Sequence, residues 1–532
     1  MRAPFVGLRV LTTMSLRQEA RVIAPWVMLI TVLTVSSFLG YHFLLNDPQT
    51  LASLGVSIGS NPAFSLLFGP APDLSTPDGF TAWRSLALGD FFAGLMAIFI
   101  VTKGTRSAED SGQAELVASG VVGRFAPLAA AVAVAWIASL VAGIVSTFGM
   151  LLCGGALTSS LVMSATFSAS GFVFAAVAAV TAQLASFGRT ANSFAVAVLG
   201  LSFLVRGYAD TSTDSEWLVW LSPLGWLQKT APASVNNPLP LLATVGLAFV
   251  LVAIACGLLS RRDFGMGFIP PNGGPGRGRT VTTIWGLAWR LQRGPVFAWL
   301  TGFAVISAVF GLLSTSISEI FYGNPQLAHF LAATGNSQDS LVYAFLLMLL
   351  KILTIIAAIF GVQVALHLFS EETGRRIDPL LANSLSRSRL LASHATIALG
   401  GSAVAVVLGG IVLRVRAWSV GGGVRSGNLV VQALAEIPAL WILVALALAA
   451  VGALPQLRAV AWLGVIATYA LTILGPTFNL WDEILAISPL WHVPDVASND
   501  AALLQLVWLG LIVVGLLGVA FLGYRRRDLR TE

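Results

Sequence analysis

Only three lysines occur in 532 residues, and Thr102, Gln228 and Leu350 precede Lys103, Lys229 and Lys351. A phosphate-cradling P-loop needs a Gly-Lys pair, so ATP and its Mg would have to be bound by another polypeptide. The chain itself implies no cofactor and no catalytic residue. Cysteine is almost as scarce. Cys153 and Cys256 both fall inside apolar runs, where they read as small buried hydrophobes, with neither a disulfide framework nor metal-ligand spacing. The five histidines are scattered, with no HExxH cluster, and no metal site is expected. Charge is sparse too: 10% of residues are Asp, Glu, Lys or Arg, against about 25% in an ordinary soluble protein.

What fills the space is apolar. Hydrophobic residues make up 56% of the chain, in runs long enough for the roughly 20 residues a membrane-spanning helix needs. The fold class is an all-α membrane protein. Twelve spans are predicted: 22–45, 86–102, 126–152, 160–187, 190–208 and 241–259, then 296–317, 341–369, 392–415, 431–454, 459–476 and 503–524. A net charge of +6 does not point to nucleic acid, because the arginines cluster at span ends and no basic stripe interleaves with aromatics. With both termini cytoplasmic, most arginines lie inside and the opposite loops carry acids, as the positive-inside rule requires. Arg414, Arg416 and Arg425 dissent. The opening "MRAPFVGLRVLTTMSLRQEAR" is broken by Arg9, Arg17 and Arg21, so it reads as a helix lying along the cytoplasmic membrane surface rather than a cleaved signal.

The chain is divided almost in half by "RRDFGMGFIPPNGGPGRGRT", rich in glycine and proline and therefore a flexible linker. The halves are 1–262 and 283–532, with the linker at 263–282. They echo each other. "LSPLGW" at Leu221 recurs as "ISPLWH" at Ile487, "SRRDF" at Ser260 as "RRRDL" at Arg525, and "AIFIV" at Ala97 as "AIFGV" at Ala358, with offsets of about 261 to 266 residues. Six spans in each half make the repeat parallel, with its pseudo-twofold axis along the membrane normal.

The most unusual stretch is "FSEETGRRIDPLLANSLSRSRLLASH", Phe369–His394, where four arginines and three acids crowd together between greasy runs. A fainter copy, "SAEDSGQAELVASGVVGRFAPLAA", starts at Ser107. Glu109-Asp110-x-Gly112 aligns with Glu371-Glu372-x-Gly374. Each copy follows the second span of its half and reads as an elbow that leaves the membrane on the cytoplasmic side, turns and returns. Gly112 and Gly374 loosen the exit; Glu115 and Asp378 stand in the short turn beyond; Arg124 and Arg387 meet headgroups on return. Arginine alone would set topology. The paired acids ask for something more, a soluble partner offering positive charge.

On these residues the chain resembles, over essentially its whole length, the permease subunits of type 2 ABC exporters, in the fused double-length form found among exporters of polyketide antibiotics and drugs. The resemblance implies that each elbow is a coupling helix docking into one of two copies of a separate ABC ATPase. The coupling elements would be Glu371, Glu372, Gly374, Arg375, Asp378 and Arg387, and Glu109, Asp110, Gly112, Glu115 and Arg124. The first copy has Gln113 and Ala114 where the alignment sets Arg375 and Arg376. The implied function is ATP-driven export of small hydrophobic or amphipathic compounds across the plasma membrane, by a transporter subunit that is not itself an enzyme.

Two ionisable residues within spans stand out, Asp90 and Lys351, at matching repeat positions in the AIF alignment. An unpaired charge there costs at least about 2.5–3.5 kcal/mol, which calls either for a cross-half Asp90–Lys351 pair at a central cavity, with Phe91 and Phe92 beside a substrate, or for Asp90 near the outer headgroups beside Arg84 and Lys351 snorkelling or meeting a carbonyl. Pro223, Trp226, Pro489 and Trp491 of the S-P-L turns would form an outer gate or belong to an aromatic belt. Other readings are an ion-gradient-driven secondary transporter, a lipid-modifying membrane enzyme and a non-transporting sensor. Few midplane charges argue against the first, and the lack of a convergent carboxylate pair against the second.

Overall fold

The structure, a computed structural model, describes residues 4–44, 62–70, 73–210, 213–270, 283–322, 338–382, 385–419, 428–474, 481–496 and 504–527. Residues 271–282 of the expected linker, and Asn383 and Ser384 of the second elbow, lie outside them. Among the described residues no strand occurs, and twelve helices are long and apolar enough to cross a membrane. The chain forms two compact units, Met1–Gly274 and Pro275–Glu532, with six such helices in each.

In the first unit the helices are α1 Leu8–Leu44, the short α2 Pro62–Phe68, α3 Pro77–Thr102, the short α4 Gln113–Ala118, α5 Ala126–Leu152, α6 Leu157–Leu184, α7 Gly188–Ala209, the short α8 Pro223–Gln228 and α9 Leu239–Arg261. In the second they are α10 Ile284–Tyr322, α11 Gln338–Thr373, the short α12 Asp378–Leu381, α13 Arg387–Ser419, α14 Leu429–Ala453, α15 Ala459–Tyr469, the short α16 Asp482–Leu485 and α17 Leu504–Arg526. The span over 459–476 is not uniform: α15 widens into a π-helical turn at Ala470–Leu474.

The expected surface-lying N-terminal helix is not separate. Its residues run straight into the first span, so α1 is 37 residues long, about 55 Å at 1.5 Å per residue. Apolar residues at 8, 10, 11, 14 and 16 continue the helical pattern into the span, and no glycine intervenes between Gly7 and Gly40. The second unit opens in the same way with the 39-residue α10. Pro25 sits within α1 and Pro295 within α10, each removing one helix hydrogen bond.

Packing repeats as well. In each unit the fourth span (α6 or α14) lies against the second (α3 or α11), the third (α5 or α13) and the sixth (α9 or α17), and the first span (α1 or α10) packs on the third. The central helices are built from small residues: Ser164, Ser168, Ser170, Gly171, Ala175, Ala178 and Ala179 of α6 are buried, as are Ala439, Ala445, Ala447, Ala449 and Gly452 of α14. Lipid is as apolar as leucine, so close backbone approach must drive association instead. A Cβ on Gly171 would overlap Ser139 Oγ, and one on Gly452 would overlap the Ala520 carbonyl oxygen.

Candidate functional site

In the first unit α3 does not stop at Thr102. It widens into a π-turn at Lys103–Ser107, runs on through Ala108–Asp110, and turns at Gly112 with φ +76° before α4. The chain returns through α5, with Pro127 in its first turn, where no amide partner is lost. In the second unit α11 continues unbroken to Thr373, turns, forms α12, and returns through α13. Here the left-handed residue is Arg375, at φ +55°, and not Gly374. Gly374 is the first residue past the helix, where it was expected to loosen the exit.

The acids of the elbows do not simply face solvent. Glu109 accepts from two guanidinium groups, Arg106 of the π-turn and Arg262 just beyond α9. Glu372 accepts a two-pronged contact from Arg527, just beyond α17, at 2.7 and 2.5 Å. Charge-assisted paired bonds of this kind are among the strongest side chains make. The same arginines reach a third helix. Arg262 Nε donates to Gln183 Oε1 at 2.7 Å, near the end of α6, and Arg527 Nε donates to the Gly452 carbonyl at 3.0 Å, near the end of α14. Behind Arg262 the chain stays on α6, with Phe268 and Ile269 amides donating to the Gln183 and Leu184 carbonyls at 3.2 and 2.8 Å.

A second bond closes each clasp. The last carbonyls of a helix lack internal partners and attract cations. Arg124 Nη2 donates to the carbonyls of Leu259 and Arg262, at 2.9 and 3.2 Å, and Arg387 Nη1 to that of Arg527 at 2.6 Å. Arg387 begins the third span of its unit, and Arg124 lies just ahead of the third span of the other. In each unit, then, one acid and two arginines bind the ends of spans two, three, four and six together. Of these residues the sequence singled out the acids, Arg124 and Arg387. It noted Arg262 and Arg527 only as parts of a repeated motif.

The shared partners also correct the repeat alignment by one residue. Glu109 corresponds to Glu372 by its arginine, Gly112 to Arg375 by its left-handed backbone, and Gln113, not Ala114, to Arg376. Asp110 has a separate task, accepting from the Gly188 amide at 2.6 Å and so fixing the start of α7. Glu371 pairs with Arg376 at 2.8 Å and with His367 at 3.4 Å. Glu115 and Asp378 stand exposed in the first turns of α4 and α12, where acids suit the positive end of a helix. Beside the first elbow lies a cavity of about 850 Å³, lined by Leu11 and Met14 of α1, Glu109, Val117, Arg124 and Arg262 among others.

The other end of each unit carries the S-P-L turns. Pro223 opens α8, which Ser222 caps through the Gly225 amide at 3.2 Å. Ser222 also meets Ser202 of α7 at 2.8 Å; in the second unit Ser488 meets Thr472 of the Ala470–Leu474 turn at 2.8 Å. The serine of each motif thus ties the turn to the fifth span. Pro489 opens a short 3-10 turn. Trp226 donates to the Trp220 carbonyl at 2.7 Å, and Trp491 is exposed. Asp73, just ahead of α3, is held below the usual carboxylate range first by the Ser75 hydroxyl and then by its amide.

Within the spans, Asp90 is buried, with Oδ1 unbonded, and faces Thr166 and the guanidinium of Arg206. Arg206 is itself buried and central. It donates to the Leu66 and Leu67 carbonyls at 2.9 and 3.1 Å and to Gln228 at 3.4 Å, and it lies 3.8 Å from Asp210. Phe91 stacks edge-on against Phe92 and Phe203, with centroids 5.8 and 5.4 Å apart. Lys351 faces the fully buried Glu436, which accepts from Thr354. So Asp90 and Lys351 each lie near an opposite charge inside their own unit. Arg206 and Glu436 were passed over in the sequence, although an ionisable residue within an apolar run was signal enough to find both.

A family described as the C-terminal domain of the multidrug efflux system permease Rv1217c matches residues 49–259 and 281–525, one stretch in each half. The multidrug efflux system permease protein Rv1217c of Mycobacterium tuberculosis (strain ATCC 25618 / H37Rv) is 33% identical over 531 residues, spanning 99% of this chain and 96% of that protein.

Proposed function

Since the chain belongs to the Rv1217c family of multidrug efflux system permeases, we propose that it is the membrane subunit of an ATP-driven exporter, powered by two separate ATPase subunits that dock on the two elbows. The elbows and both termini then face the cytoplasm. ATP and Mg are bound by the ATPases, since no Gly-Lys pair exists in this chain. The substrates are hydrophobic or amphipathic small molecules, a class supported by the resemblance and by the multidrug description of the relative.

The observation that carries this reading is the clasp built twice, at Glu109–Arg262 and Glu372–Arg527. A loop that merely set topology would need no rigid tie to three other helix ends. A handle would. Pushing on an elbow moves Glu109 or Glu372, and the paired arginine passes that displacement to the ends of spans four and six together. ATPase closure would thereby shift each half as a body between inward- and outward-open states.

The test is transport by the purified chain in vesicles, with and without its ATPase, of a fluorescent amphipathic dye. Export that needs both ATP and the ATPase, and stops with vanadate, is the expected result. Transport that persists with nucleotide removed and an ion gradient intact would overturn it in favour of a secondary transporter. The buried Glu436 and Asp90 are the groups such a transporter would use.

A further inference from the structure

The cavity in the first unit has a shape that the clasp does not explain. One wall is the start of α1, through Leu11, Met14 and Glu19; the other is the elbow and the first turns of α5, as far as Val134. Bonds pin these walls together at either end. The Gly123 and Phe125 amides donate to the Val6 and Pro4 carbonyls at 2.9 and 3.1 Å, and Lys103 pairs with Glu19 at 2.8 Å. Between those ties the helices stand apart, and no residue of α1 before Ile23 is buried. In the second unit the first span closes on the third directly. Ala288, Gln292 and Val296 are buried there, and Gln292 bonds to His394 at 2.8 Å. Close-packed interiors leave few voids larger than a water molecule, whereas about 850 Å³ held open by bonds at both ends has the size of a small-molecule site.

The lining is graded. Lys103, Arg124 and Arg262 gather at the elbow end with Glu19, Glu109 and Asp263, while Ile100, Leu128, Ala131 and Val134 make the deep end apolar. Val134 lies eight residues beyond the start of α5, about 12 Å along its axis. Two of the acids are already answered, Glu109 by Arg106 and Arg262 and Glu19 by Lys103. Counting Arg106, four cations stand against three acids. Arg124 spends only Nη2 on the two carbonyls it holds, and a guanidinium carries five N–H groups. We propose that this cavity binds an amphipathic anion, an acidic head on an aliphatic chain, with the head at Arg124 and Lys103 and the chain between α1 and α5. Bound there, it braces the first span against the elbow. The clasp leaves that span out, since Glu109 and its arginines join spans two, three, four and six. An acidic lipid of the bilayer and a free amphiphile share this chemistry. Binding does not depend on what docks at the elbow, so it stands apart from the export reading.

The test uses the full chain in phosphatidylcholine nanodiscs and, as probe, dodecyl phosphate carrying a diazirine in its chain, with labelled peptides mapped by mass spectrometry. Labelling should saturate and concentrate on residues 11–19 and 127–134. Excess unlabelled dodecyl phosphate should displace it, and dodecyltrimethylammonium should not. Met14→Trp, at an exposed position on the α1 wall, should fill the cavity and abolish saturable labelling. Lys103→Gln, at a side chain more than half exposed, should weaken it by about tenfold, as the loss of a bond to a charged group predicts. Phosphatidylglycerol in the disc distinguishes the sources. If it displaces the probe, the ligand is the bilayer's own lipid; if only dodecyl phosphate does, the ligand is a free amphiphile, and the site stands in both cases. Labelling spread evenly over exposed span positions such as Phe148 and Val250 would overturn the proposal. So would equal displacement by the cationic amphiphile, or saturable labelling that Met14→Trp leaves unchanged.

Discussion

Breaking one clasp at a single atom pair measures how firmly an elbow is joined to the rest of its half. The Glu372 side chain is 1% exposed and that of Arg527 11%, with two short bonds between them. An exposed ion pair contributes about 0–1 kcal/mol. Removing one partner of a buried pair costs roughly 3–5 kcal/mol, because the other charge is stranded. Arg527→Gln also loses the bond to Gly452, so it should fall in that range, and Glu372→Gln somewhat lower, since an amide still accepts one bond. The double variant strands nothing, so a coupling of about 2–3 kcal/mol is expected from the cycle. Arg262→Gln should cost less than Arg527→Gln, at roughly 1–2 kcal/mol, because Arg106 still neutralises Glu109. The assay is reversible unfolding in mixed micelles, paired with the ratio of substrate moved to ATP hydrolysed, which each single variant should lower. A coupling below about 0.5 kcal/mol, or Arg262→Gln proving the costlier change, would refute the clasp as a load path.

Gly452→Val forces side-chain atoms into the Ala520 backbone and should destabilise by about 1–3 kcal/mol; Gly510, with nothing near its missing Cβ, should accept alanine without loss, and equal thermal shifts for the two would count against close α14–α17 contact. Arg206→Gln takes the nearby cation from Asp90 and Asp210 and frees the Leu66 and Leu67 carbonyls, at a cost of roughly 3–5 kcal/mol. Asp210→Asn in the same chain should recover part of it, as read by unfolding midpoint. Lys351→Met leaves Glu436 without its facing cation at a cost of about 2.5–3.5 kcal/mol, and Glu436→Gln alongside should restore most of it; a neutral Lys351→Met would show that the two charges do not interact.

The spans were legible because hydrophobic length and flanking charge are properties of contiguous sequence. The third span was placed at its observed bounds, and the others started or ended within a few residues, except where α1, α3 and α10 continue past their apolar cores. The tie between α1 and the preceding residues was misread because an arginine-bearing amphipathic stretch looks the same whether it lies on the membrane or extends a helix. The clasp was hidden for another reason. Glu109 and Arg262 are 153 residues apart, and Glu372 and Arg527 155, and nothing local says that two repeated motifs touch. The register slip at the elbows has a related cause. Residue type favours the first register, which matches both acids of Glu109-Asp110 with Glu371-Glu372 and Gly112 with Gly374, and only the arginine that Glu109 and Glu372 each bind shifts it by one. The S-P-L serines illustrate the same limit, since their repeat was visible but their hydroxyl partners on the fifth span were not.

The wide turn at Lys103–Ser107 sets the rotational phase of everything that follows it in the first elbow. A π-turn accommodates one residue more than regular helix, and one residue swings an α-helical side chain through about 100°. Tightened into ordinary geometry, that turn would point Glu109 away from Arg262 without any side chain being altered. Deleting a single residue there would thus disengage the first elbow while leaving its sequence beyond intact. The second elbow, whose leading helix runs regularly to Thr373, has no such joint among its described residues.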